Sequence, residues 1–130
     1  MTGFTMRNHR IQTDFKLKVR LRENRTGKII DGELTAIVVN LSKNGANIRI
    51  SKLFLNRTHL FFSTLQRHTH TLILEPAQPL LDKLRFDAGF KIDAQSVWMD
   101  KATDGSTFPF IIGVEFMDNQ KVFFSAMQQQ

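Results

Sequence analysis

Two short stretches of the chain carry side chains suited to gripping a polar anion. The first is Arg7-Asn8-His9-Arg10, near the N-terminus. The second is Asn40-Leu41-Ser42-Lys43-Asn44-Gly45. A guanidinium is a planar fork that pairs bidentately with phosphate, or with O6 and N7 of guanine, and it stacks on a purine face. The Asn40 amide and the Ser42 hydroxyl add groups able to read the polar edge of a base. Gly45, without a Cβ, permits both a turn and the close approach of a flat ring.

Catalytic constellations are missing from the sequence. The four histidines are His9, His59, His68 and His70, and the chain has no cysteine. His68 and His70 share one face of an extended segment, but no third ligand stands at metal-site spacing, so they are read as two solvated histidines on an edge strand. Ser42 lies in no G-x-S-x-G elbow, and neither a P-loop nor a G-x-G-x-x-G occurs. The expectation is a binding protein rather than an enzyme, with no metal and no cofactor.

Charge is concentrated at one end. Residues 1–28 hold eight basic side chains against Asp14 and Glu23, so they account for the whole net charge of +6. Such localisation favours a local anionic partner. A chain of 130 residues makes one domain, and twelve phenylalanines help to supply its core. Residues 1–10 contain no apolar leader, and no apolar run is long enough to span a bilayer. The expected setting is the cytoplasm, without membrane insertion.

The elements that must carry these residues are mostly strands. Phe15, Leu17, Val19 and Leu21 alternate with Lys16, Lys18, Arg20 and Arg22, the period-two pattern of a strand with its cations outward. Residues 34–41 form a second strand. Asn44-Gly45, a pair that readily takes positive φ, turns the chain into a return strand over 46–50. Further strands are expected over 59–64, 69–75, 90–99 and 108–116, with a short helix or irregular insert over 80–86. The apolar stretch 53–62 is assigned to the core, with an exposed patch that docks a partner protein as the alternative. Asp118 is placed to cap a closing helix through about Met127, with Val122, Phe123 and Met127 on its apolar side. The fold class is mainly all-β: a small antiparallel barrel over 14–130 with a short C-terminal helix, preceded by a flexible basic arm over 1–13.

The order of these motifs resembles the PilZ family. An arginine-bearing arm precedes the first strand, and Asn40, Ser42 and Gly45 match the fixed positions of that family's (Asp/Asn)-x-Ser-x-x-Gly turn. Ser96-Val97-Trp98 and Ile112-Gly113-Val114-Glu115-Phe116 look like its last strands. The resemblance spans about residues 7–118, with 52–90 matching only as generic strands and an insert. Arg7 and Arg10 enclose two residues where the family has three, so family spacing back from Arg10 falls on Met6. The resemblance implies a PilZ-type barrel that binds cyclic di-GMP through Arg7, Arg10, Asn40, Ser42 and Gly45. It also implies an unidentified protein target in motility, pilus or exopolysaccharide machinery. The alternative is a PilZ-like adaptor that binds protein without nucleotide. A single-stranded nucleic-acid binder normally mixes aromatics with cations on one face. The strand face with Lys16, Lys18, Arg20 and Arg22 has none, so neither DNA nor RNA is the expected partner.

Overall fold

The period-two segment folds as the strand its pattern demands. In the computed structural model, which describes residues 9–130, β2 (Lys16–Glu23) buries Leu17, Val19 and Leu21 and turns Lys16, Lys18, Arg20 and Arg22 outward. Six strands close around the core these residues begin. They are β2, β3 (Leu34–Leu41), β4 (Gly45–Ile50), β7 (His70–Pro76), β8 (Ile92–Lys101) and β9 (Phe110–Phe116). Around the barrel their order is β2-β3-β4-β9-β8-β7, every neighbouring pair is antiparallel, and β7 returns to β2. Closure leaves the barrel wall without a free edge along most of its length. Val19, Leu21, Ala36, Val38, Ile48, Ile50, Leu72, Leu74, Ala94 and Ile112 fill the interior, each almost fully buried. Mainly β architecture with a short terminal helix is what the sequence pattern requires.

The strand β1 (Ile11–Gln12) pairs with Leu41 and Asn40 of β3, continuing the line of β2 past a break at residues 13–15. The arm expected over 1–13 therefore becomes paired strand by Ile11. Arg7 lies outside the described residues.

Three helices accompany the strands among the described residues. Residues 59–64, expected as strand, instead contain α1 (Leu60–Thr64). His59 Nδ1 accepts the N–H of Phe62 at its start, and Thr64 Oγ1 donates back to the Leu60 carbonyl, two local bonds that favour a helical turn. α1 follows the small hairpin of β5 (Phe54–Leu55) and β6 (Thr58–His59). The apolar stretch is split by this arrangement. Leu55, Leu60 and Phe61 are buried, whereas Phe54 and Phe62 are more than half exposed.

α2 (Gln78–Leu84) is the helical form of the expected insert. α3 (Lys121–Gln128) follows β9, but its N-cap is Gln120 with no side-chain cap bond, so Asp118 does not perform the capping assigned to it. The buried face of α3 also differs from the expected one: Phe123 and Phe124 point inward and Val122 is 73% exposed. Phe123 sits among Phe15, Phe86 and Phe90 with ring centroids 5.5–6.0 Å apart, plugging one end of the barrel.

Candidate functional site: an arginine on the outer wall of the barrel

Arg10 and Asn40 meet on the outside of the barrel. Arg10 Nη1 donates to Asn40 Oδ1 at 2.9 Å, across thirty residues of sequence. Pairing of Gln12 with Asn40 delivers the arm to this point. On β3 the register shifts between Val38 and Asn40, a bulge that leaves Val39 unmatched and resets which side chains face outward. Without that reset Asn40 would follow Val38 into the core.

From Asn40 a row of register partners runs across the wall. Asn40 opposes Asn47 of β4, Asn47 opposes Gly113 of β9, and Gly113 opposes Trp98 of β8. At the usual strand spacing of about 4.8 Å, this row is roughly 14 Å long. Ala46, Ile48, Ile112 and Val114 on either side of it are buried inward, so Asn47 and Gly113 belong to the outer face. Trp98 is 42% exposed, and its indole occupies the space a Cβ on Gly113 would need. A second bulge, between Ser96 and Trp98, aims that indole along the wall. The wall thus offers a guanidinium and two amides at one end and an open aromatic face at the other. Asn47 and Trp98 were not among the expected ligand residues. A lone glycine inside a strand signals close approach of another group, and Gly113 is that signal.

The other two expected residues lie in the turn itself, and the geometry gives them different work. Ser42 is buried, and its hydroxyl takes part in three hydrogen bonds within the turn. It accepts the N–H of Gly45 at 3.1 Å and the N–H of Asn44 at 3.3 Å, and donates to the Gly45 carbonyl at 3.2 Å. The Ser42 N–H also donates to the Gly45 carbonyl, at 2.8 Å. A side-chain oxygen therefore stands in for a backbone acceptor in the hairpin closure. Neither Asn44 nor Gly45 has positive φ, which corrects the expected reason for the pair. Gly45 is required by crowding instead, because a Cβ there would collide with the Val114 carbonyl oxygen of β9.

The turn is braced from the C-terminal side. Phe116 N–H donates to the Asn44 carbonyl and Gln120 N–H to the Lys43 carbonyl, while Asn119 Nδ2 donates to Asn44 Oδ1. His9, next to Arg10, rests edge-on against Phe124 of α3 at 6.2 Å. The arm, the turn and the last helix are thereby in one contact system.

The outward cations of β2 are largely matched by acids. Lys18 and Arg20 pair with Glu33 at 3.4 and 2.8 Å, Arg20 also reaches Glu75 at 3.3 Å, and Arg22 pairs with Asp93. Their contribution to steering an anion is correspondingly reduced. His70 lies in β7, an interior strand flanked by β2 and β8, not an edge, and its Nδ1 bonds Thr69 Oγ1. Among the described residues no three His, Asp or Glu side chains are grouped to hold a metal ion, and no helix is long and apolar enough to cross a membrane.

The fold and wall together define a class: a closed six-stranded antiparallel barrel with an arginine arm tied to its outer face. No family model matches the sequence, and no curated protein matches it.

Proposed function

We propose that this chain is a PilZ-type receptor for cyclic di-GMP, a binding module rather than an enzyme. The observation that carries the reading is the Arg10–Asn40 hydrogen bond, which joins the two halves of the sequence pattern at one point on the barrel surface. In this reading Arg10, with Arg7, takes the phosphates or a guanine edge, and the amides of Asn40 and Asn47 read the base. Trp98 supplies a stacking face. A ligand that draws Arg10 away from Asn40 also disturbs the neighbouring His9–Phe124 contact, so occupancy reaches α3 and alters the surface shown to a protein target. The motility, pilus or exopolysaccharide setting and the cytoplasmic location follow from the family resemblance.

The test is calorimetric titration of the purified protein with cyclic di-GMP, with GTP as control. Saturable binding of the cyclic dinucleotide alone supports the receptor, and no heat with either removes it.

A nucleotide-free adaptor has one specific observation in its favour. Phe54, His59 and Phe62 form an exposed aromatic cluster, with ring centroids 5.0 and 4.5 Å apart from His59. Solvent-facing aromatics grouped in this way are common at protein contacts.

A further inference from the structure

At the other end of β2 from the arm, a polar cleft of about 440 Å³ opens between Arg22, Asn24, Gln66, Arg67 and Thr71. That volume is in the range of small-molecule sites. Two arginines line it, and one of them, Arg22, is ion-paired with Asp93. Arg22 directs two N–H groups at Asp93, which leaves the rest of its five donors available. Arg67 is exposed, and no carboxylate among the described residues pairs with it.

The walls of the cleft are fixed by bonds that reach far along the chain. Thr71 Oγ1 donates to Asn24 Oδ1 at 2.6 Å, and Asn24 Nδ2 donates to the Arg67 carbonyl at 2.8 Å. Asn24 is therefore held by β7 on one side and holds the 65–68 turn on the other.

The turn shares its backbone conformation with the 55–58 hairpin, where Asn56 and Arg57 also have positive φ. Gln66 and Arg67 have φ of 51° and 55°, consecutive left-handed residues where glycine or asparagine is the ordinary occupant. The surroundings enforce this conformation. Gln66 N–H donates to the Ser96 carbonyl, Arg67 N–H to the Thr64 carbonyl and His68 N–H to the Leu65 carbonyl. An arginine stands where a glycine would sit with less strain, in a residue that lines the cleft beside a second arginine.

We propose that this cleft is a second ligand site, separate from the arm, and that it takes a small phosphate monoester. A monoester near neutral pH carries close to two negative charges and three terminal oxygens. It therefore matches two guanidinium groups better than a carboxylate, which one fork satisfies. Thr71 and Asn24 occupy each other and set the cleft width, while the side-chain amide of Gln66 is placed to contact the organic portion.

The experiment is amide NMR of the full chain titrated with inorganic phosphate and with glucose 6-phosphate, at constant ionic strength with chloride as control. Saturable shifts centred on Asn24, Gln66, Arg67 and Thr71 are expected, stronger for the ester. Arg67→Gly separates binding from folding, since glycine accepts φ near 55° without strain. Its Tm should be unchanged or raised while affinity for the ester falls about tenfold or more, the effect of losing one charge-assisted contact. Arg10→Ala should leave the titration unaltered.

Undiminished ester binding by Arg67→Gly, or phosphate shifts centred on Arg10 and Asn40, would overturn the assignment. So would a single-stranded oligonucleotide that displaces the ester with a steep salt dependence, because it would make the cleft part of a polyanion track.

Discussion

The indole of Trp98 fills the place that any side chain on Gly113 would take. The two residues are register partners on β8 and β9, so the ring lies flat on the neighbouring strand instead of standing into solvent. Because Trp98 is the single tryptophan, its emission reports this contact alone. Gly113→Val should push the indole off the wall, shift emission to the red and lower affinity for cyclic di-GMP. Titrating cyclic di-GMP into the wild type should quench Trp98, as a stacked purine does. An unchanged spectrum at saturation would remove Trp98 from the ligand wall.

On the proposed receptor reading, Arg10→Ala removes a charge-assisted hydrogen bond to the ligand. The expected loss is about 1.5–3 kcal/mol, roughly 10- to 150-fold in affinity by calorimetry. The Arg10–Asn40 bond is exposed, so the thermal midpoint should barely move. Wild-type affinity in the Arg7→Ala, Arg10→Ala double variant would rule out the arm.

Asn40 and Ser42 lie two residues apart and should respond in opposite ways. Ser42→Ala leaves the buried Gly45 N–H without its acceptor and should destabilise the fold by about 1–3 kcal/mol, with affinity nearly unchanged. Asn40→Ala should leave stability intact and weaken binding about tenfold. Thermal melts paired with titrations of both variants measure the contrast. Gly45→Ala belongs with Ser42→Ala, because its methyl must displace the Val114 carbonyl and overpacking of that kind costs on the order of 1–3 kcal/mol.

Acid should loosen the 102–108 loop. Arg49 clasps Asp104 with two bonds, at 3.1 and 3.0 Å, and also donates to the Phe108 carbonyl. The Arg49 guanidinium, helped by the Ser106 N–H, holds the Asp104 carboxyl below the ordinary aspartate value. A carboxyl whose folded pKa is depressed contributes stability above its unfolded pKa and loses it as pH falls through the folded one. A side-chain NMR titration should therefore place the Asp104 midpoint below about 3.9, the model-peptide value. Arg49→Gln should raise that midpoint towards the ordinary range. An Asp104 midpoint insensitive to Arg49→Gln would show that the clasp does not form in solution.

The barrel was legible in the sequence because strand burial has a period of two and needs no knowledge of partners. Leu17, Val19 and Leu21 against Lys16, Lys18 and Arg20 determine which face is core wherever that strand lies. The α1 segment was not legible. Leu60, Phe61 and Phe62 are as compatible with a strand as with a helix, and the choice depends on the His59 cap and on which rings the barrel end has room to bury.

The candidate site divides in the same way. By itself the sequence determined that arginines, an asparagine and a serine–glycine turn are present, since residue type alone sets their chemistry. Tertiary structure decided which of them face outward together. Two bulges, at Val38/Asn40 and Ser96/Trp98, reset the alternation and bring Asn40, Asn47 and Trp98 onto one wall, while Ser42 is drawn inward to close its own turn. A bulge is the accommodation of one strand to its neighbour, so it exists only once the neighbour is in place.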